Sequence, residues 1–186
     1  PTVELESRAY WDASRYWGEY VYEAPGYPLM NRDLGYSDLL GAELRANWRP
    51  RPEQVATLGT EGRWTYRALQ YSIDQNPYLV RSFADSKSSQ SAFYLQDEVT
   101  LARRARLTAG VRIDSYSRYG NVASPRLDLV FPMRNGATWK LMAGSAYRAP
   151  VPFETSYAAS DQVANPDLLP ERVTTLESCL EQRVGP

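Results

Sequence analysis

The residues best placed to do chemistry in this sequence are aromatic. Trp17, Tyr20, Tyr22 and Tyr27 fall in one stretch, Tyr71, Tyr78 and Arg81 in a second, and Phe153 and Tyr157 in a third. Flat rings with an occasional guanidinium bind amphipathic or planar small molecules by stacking and cation–π attraction. The same rings could instead pack their own loops or sit at a membrane interface. Side chains that make and break bonds are poorly supplied. The 186 residues include no His, which removes the commonest general base, the Ser–His and Cys–His pairs, and the His-containing zinc sites. A single cysteine, Cys179, excludes an intrachain disulfide and a thiolate cluster. A glycosidase-like pair such as Glu61 and Glu98 needs carboxylates about 5–10 Å apart, and nothing in the sequence places them so. Asn31, Asp33 and Asp38 miss the spacing of a calcium loop. With 21 basic against 22 acidic residues, no basic face is expected for a nucleic acid. The expectation is a protein that binds rather than catalyses, with no cofactor and no resident metal.

The segments that must hold these aromatics alternate with a period of two. Val3, Leu5, Ala9, Trp11, Ala13 and Trp17 oppose Glu4, Glu6, Arg8, Asp12 and Ser14. Leu40, Ala42, Leu44, Ala46 and Trp48 oppose Gly41, Glu43, Arg45 and Asn47. The pattern recurs around Leu58 and Trp64, Phe93 and Leu95, Val111 and Ile113, Leu127 and Leu129, Leu141 and Ala143, and Leu176 and Leu180. Arg15, Asp97 and Ser178 interrupt it. The predicted connections alternate in length. Gly18–Tyr36, Tyr71–Ser89 and Ala149–Pro170 are long, whereas Pro50–Glu53, Ala102–Ala105, Gly120-Asn121 and Asn135-Gly136 mark short turns. Asn135-Gly136 reads as a two-residue hairpin with positive φ at both positions.

All the long links fall on one side of an up-and-down meander. Two architectures give a charged face opposite an apolar one. A soluble carbohydrate-binding β-sandwich would turn the charges to bulk water, with loop aromatics stacking on sugars. An outer-membrane barrel would turn them to a wet lumen and its apolar face to lipid. Sorted loop lengths favour the barrel, as do Trp48 and Trp139 beside short turns and Trp64, Tyr66 and Tyr147 toward the long ones. No apolar run is long enough for a membrane helix, a test that says nothing about strands. The chain opens at Pro1 without a signal-peptide pattern, and its blunt ends suggest a piece of something larger.

From residue 91 onward the sequence resembles the barrel of a TonB-dependent outer-membrane receptor. Ser91–Val99 is similar to the family's "YxQDEW" strand, and Leu107–Asp114 to "LxxGxRYD". Ser124-Pro125-Arg126 matches "SPR", and Lys140–Pro150 resembles "KxxYGxAFRAP". Asn165–Glu171 is close to "NPDLKPE", followed by Leu176–Cys179 where the family has "YELG".

The resemblance implies an all-β fold, a transmembrane antiparallel up-and-down β-barrel. Residues 1–186 would form a partial arc of about eight strands from a barrel of about twenty-two, with plug domain, TonB box and terminal strands absent. It also implies TonB-energised uptake of a scarce ligand, such as a ferric siderophore or cobalamin, with the TonB–ExbB–ExbD complex acting through the missing plug. Lipid and a small molecule, such as a metal chelate, would be the other partners. A passive porin is the nearest rival. The motif residues Pro125, Arg126, Arg148, Pro150, Asn165, Pro166, Asp167, Pro170 and Glu171 read as structural, fixing strand ends and loop exits. Gly41, Gly59, Gly110 and Gly144 would leave room for a plug, or mark bulges. Arg112, Arg126 and Lys140 would pair with neighbouring lumen charges or with the plug.

Overall fold

The computed structural model describes residues 1–156 and 163–184, and nearly all of them lie in one antiparallel sheet. The strands are β1 (Thr2–Ala24), β2 (Tyr27–Arg51), β3 (Gln54–Gln75), β4 (Tyr78–Asp85), β5 (Ser88–Thr100), β6 (Arg106–Tyr116), β7 (Gly120–Pro132), β8 (Ala137–Arg148) and β9 (Glu171–Gln182). Sequential strands pair in the order β1-β2-β3-β5-β6-β7-β8-β9, and β4 pairs only with the far end of β3. This is the expected meander, an open arc in which β4 and β5 continue one another past Ser86-Lys87. A short helix, α1 (Pro152–Ser156), sits in the connection from β8 to β9.

Burial is inverted relative to a soluble protein. Among the described residues the buried apolar side chains are Ala92, Ala105, Val122 and Pro150. Leu5, Trp11, Leu44, Leu58, Phe93, Ile113, Leu127 and Leu180 are exposed, whereas Asp74, Asp114 and Asp128 are buried. Cross-strand register puts Leu5, Ala46, Leu58, Leu95, Val111 and Pro125 in one row on the outer face. A sandwich would bury that row against a second sheet. Here the sheet turns it outward, and only lipid can desolvate it.

The outer face also explains the interruptions. Trp11, Trp64 and Tyr66 form the upper aromatic band, where the Trp11 indole N–H donates to the Tyr66 hydroxyl at 3.0 Å. Trp48, Phe131 and Trp139 form the lower one. Val3, opposite Trp48, lies eight residues before Trp11, roughly 26 Å along the strand, which a barrel's tilt reduces to a height of roughly 20 Å. Asp97 lies at the lower band and accepts from Gln54 Nε2 at 2.9 Å. Ser178 accepts from the Trp139 indole at 2.9 Å. Arg15 lies above the upper band, ion-paired to Asp38 at 2.6 Å. Each polar intruder is thus at an interface and partnered.

Two predicted long loops are strands. β1 and β2 run past Gly18 and Tyr36 to a tight turn at Pro25-Gly26, and β3 and β4 do the same around Asn76-Pro77. Above the membrane both faces of a hairpin are wet, so the apolar alternation fades while cross-strand pairing continues. The link from Ala149 to Pro170 remains a connection. The Asn135-Gly136 turn differs as well. It is a 3-10 turn over Arg134–Gly136, with Gly136 at a positive φ of 72°. Arg104 holds the same place in the turn Ala102–Arg104, with φ 62°.

Candidate functional site: the lumen wall and its mouth

Alternation sends Glu61, Arg63, Gln90, Tyr94, Arg112 and Asp114 to the inner face on adjacent strands. Arg112 donates from Nη2 to Glu61 Oε2 at 2.8 Å and from Nε to Asp114 Oδ2 at 2.9 Å. Gln90 Nε2 donates to Asp114 Oδ1 at 2.9 Å, and Arg63 pairs with Glu61. The Tyr94 hydroxyl donates to Glu43 Oε1 at 3.0 Å, and the Arg112 guanidinium lies 5.7 Å from the Tyr94 ring centre. Glu6 pairs with Arg45, Arg126 with Asp128 and Lys140 with Glu181. Arg112, Arg126 and Lys140 therefore find partners within the wall. These carboxylates already hold cations, which suits a wetted wall better than proton transfer.

Glu61 and Glu98 do not form a catalytic pair. Glu61 lies opposite Ala92 and Glu98 opposite Val55, six rungs apart and roughly 20 Å along the strands. Glu98 pairs instead with Arg106 at 3.3 Å. Asn31 faces inward and Asp38 outward, so the acidic stretch of β2 does not converge on one ion. Two lumen glycines are not open space either. A Cβ on Gly41 would lie 2.1 Å from the Tyr10 ring, and one on Gly59 2.1 Å from the Tyr94 ring. Each tyrosine lies flat across the glycine opposite it, so neither position is left for a plug.

The predicted ligand residues divide between two faces. Trp17 stands on the outer face in a row with Leu34, Tyr71 and Phe83. Tyr71 and Phe83 meet edge to face with centres 5.7 Å apart, and the Tyr71 and Tyr78 hydroxyls are 3.2 Å apart. Tyr20 and Tyr22 stand on the inner face with ring centres 6.4 Å apart, and Tyr27 opens β2 at the turn. Arg81, a bulge residue of β4, pairs with buried Asp74. Asn31 Nδ2 donates to Asp74 Oδ1 at 2.9 Å and to Ser72 Oγ at 3.1 Å, completing an inner polar cluster. Phe153 sits on α1 at the mouth, and Tyr157 lies outside the described residues.

The family-motif residues organise the link between β8 and β9. Arg148 binds Glu171 through two hydrogen bonds, and its Nη1 donates to both oxygens of Glu154 at 3.0 Å. Glu154 Oε2 also accepts the Val151 backbone N–H at 2.9 Å. That amide, followed by the Arg148 charge, holds the Glu154 carboxyl below its ordinary range. Asn165 Oδ1 accepts the Asp167 N–H at 3.2 Å, a local turn followed by Pro170. Pro150 is buried, and its carbonyl accepts from the Tyr119 hydroxyl at 3.4 Å. Arg118 donates to Thr155 Oγ1 and to the Pro166 carbonyl, both at 3.2 Å. The loop is thereby drawn against the neighbouring turn and β4, where Ser82 Oγ reaches the Ser156 carbonyl. Pro125 lies within β7 rather than at its start, where pairing to β8 ends at Arg126. Its missing N–H costs no rung there. Tyr147 points to Tyr116, with hydroxyls 2.6 Å apart, instead of joining the aromatic band.

Sequence reasoning missed Tyr16, Gln70, Arg118 and Glu154. The first two lie on or beside stretches read as connections, and a lone Arg in a short turn carries no pattern.

A single antiparallel sheet, apolar outside, charged inside and extended into tall hairpins at one rim, is the wall of an outer-membrane β-barrel. The family described as TonB dependent receptor-like, beta-barrel matches residues 3–178, and the chain belongs to it. Its members are receptors and transporters of the outer membrane, so this chain is not an enzyme and the outer membrane is its place. It is 29% identical over 142 residues to the iron-regulated outer membrane virulence protein of Vibrio cholerae serotype O1, in both the Classical Ogawa and El Tor Inaba strains. That match covers 73% of this chain and 21% of each relative. The siderophore receptor PirA of Pseudomonas aeruginosa superposes with a TM-score of 0.63 at 22% identity, over 96% of this chain and 36% of PirA. The chain thus spans about a fifth of the length of the curated relatives it matches.

Proposed function

We propose that this chain is an arc of the barrel of a receptor that takes up a scarce iron-bearing ligand, a ferric siderophore foremost, with cobalamin the other candidate. A plug domain, a TonB box and the remaining strands, making about twenty-two in all, would lie outside residues 1–186. The TonB–ExbB–ExbD complex would act on the plug and open a path along the lumen wall. The observation that carries this reading is the family match along nearly the whole sheet, 3–178. The names of the relatives, iron-regulated and siderophore receptor, support the ligand class. So does the mouth, where Tyr20, Tyr22 and Phe153 stand above a wall whose charges are already paired.

The full-length receptor, expressed in a Gram-negative strain lacking its own ferric-siderophore receptors, tests it. Radiolabelled ferric siderophore should accumulate under iron limitation, and deletion of tonB should abolish accumulation. Equal accumulation with and without tonB would make the protein a passive pore instead.

A further inference from the structure

Between the inner face of the tall hairpins and the start of α1 lies a cleft of about 350 Å³. Tyr16 and Gly35, paired across β1 and β2, line it together with Ser37, Gln70, Pro152 and Phe153. It stands at the mouth, five residues beyond Trp11 on β1 and roughly 16 Å along the strand. The charged wall below contrasts with it, because none of the described residues lining the cleft is charged. Gln70 Oε1 is buried there without a hydrogen-bond partner. A buried acceptor left unpaired is costly, and a bound donor would remove that cost.

We propose that this cleft is a subsite for an uncharged planar group carrying an N–H or O–H donor, such as an aromatic amide portion of an extracellular ligand. Rings at Tyr16 and Phe153 supply flat apolar contact, and the Gln70 amide, whose Oε1 is shielded from water in the free cleft, turns to accept the donor. A carboxylate is disfavoured, because no described cation lines the cleft to compensate its lost hydration. The inference rests on the uptake reading, and it specifies which side chains meet the ligand and what chemistry they select.

Gly35 offers a direct probe. A Cβ there would meet Tyr16 Cβ at 3.5 Å, an ordinary contact, so the side chain of Gly35→Leu is expected to enter the cleft from an unstrained Cβ. Gln70→Met keeps the volume and removes the acceptor. Binding of benzamide, N,N-dimethylbenzamide and benzoate to the full-length receptor in detergent micelles is measured by saturation-transfer NMR. Heat-dependent gel migration checks that each variant folds. Benzamide should bind the wild type, lose about tenfold in Gln70→Met and disappear in Gly35→Leu. N,N-dimethylbenzamide should bind about tenfold more weakly than benzamide and be insensitive to Gln70→Met. Benzoate should bind weakest. Should Gly35→Leu fail to fold, Phe153→Ala on the exposed face of α1 replaces it, with the same loss expected. The proposal is overturned if benzamide does not bind the wild type, binds all variants equally, or is outcompeted by benzoate. Uptake of radiolabelled ferric siderophore in the same strains separates the two readings. TonB-dependent uptake without the benzamide pattern sinks the cleft alone, and the benzamide pattern without TonB-dependent uptake sinks the uptake reading alone.

Discussion

Arg148 and Glu171 face each other across the first rung of β8 and β9, joined by Nε to Oε2 at 3.1 Å and Nη2 to Oε1 at 3.0 Å. They belong to two sequence motifs separated by the longest connection in the chain. The third nitrogen of the same guanidinium holds Glu154, so one side chain ties the root of that connection to its helix. Replacing Arg148 with Ala should free the link, and Lys should not rescue it, because an ammonium cannot make the planar double contact. Hydrogen exchange at the Val151 amide should accelerate about tenfold in both variants. Unchanged exchange would show that the clamp is incidental.

The same clamp should depend on pH in a defined direction. Glu154 is held below its ordinary value, so its contribution is complete above that value, near about 4.3, and is lost as pH falls through the depressed folded value. Protease sensitivity of the 149–170 link should therefore be flat from neutral pH down to the ordinary carboxylate range and rise only below it. In Glu154→Gln the link should be more sensitive at neutral pH and keep only the smaller step from Glu171, which Arg148 also holds low. A wild-type profile that already rises above the ordinary carboxylate range, or a step of undiminished size in Glu154→Gln, would contradict this.

Gly59 should not tolerate a methyl group. Its added Cβ would strike the Tyr94 ring at 2.1 Å, displacing a side chain that also bonds Glu43. Gly59→Ala should cost about 1–3 kcal/mol in urea unfolding of the full-length receptor in lipid. The cost should shrink when Tyr94→Ala is added, since the two residues are coupled. Gly144, whose nearest neighbour is the Pro125 carbonyl oxygen at 3.5 Å, should accept Ala with little change.

Arg104 occupies a left-handed conformation that suits glycine. Arg104→Gly should stabilise the barrel by about 0.5–1 kcal/mol, and Gly136→Ala at the equivalent place should destabilise it by a similar amount. The same unfolding experiment reads both, and equal stabilities would refute the assignment of strain.

The membrane-spanning part of each strand was legible because lipid on one side and water on the other enforce alternation. Leu58 with Gly59, and Val111 with Arg112, carry that signal in adjacent residues. The upper halves of β1, β2 and β3 were not legible. Tyr20 and Tyr22 sit where both faces are wet, so composition resembles a loop while the backbone remains paired. The candidate site suffered most from this. Tyr16 and Gln70 belong to those upper halves, and their convergence with Phe153 depends on a long connection folding inward. The partnering of Asp97 by Gln54, and of Ser178 by Trp139, also depends on register that no single segment displays.

The apolar face of this sheet meets lipid, and its charged face lines a water-filled lumen. Residues of one strand that alternate between its two faces test this, because they point to opposite sides. Single cysteines at Leu44, Val111 and Leu127, and at Glu43, Gly110 and Ser124, are introduced into the full-length receptor after Cys179→Ser. Each carries a fluorophore in reconstituted bilayers. Labels at Leu44, Val111 and Leu127 should be quenched by lipid-borne nitroxides and spared by aqueous iodide, and those at Glu43, Gly110 and Ser124 should show the reverse. Equal quenching by iodide at both members of each pair of faces would contradict the barrel.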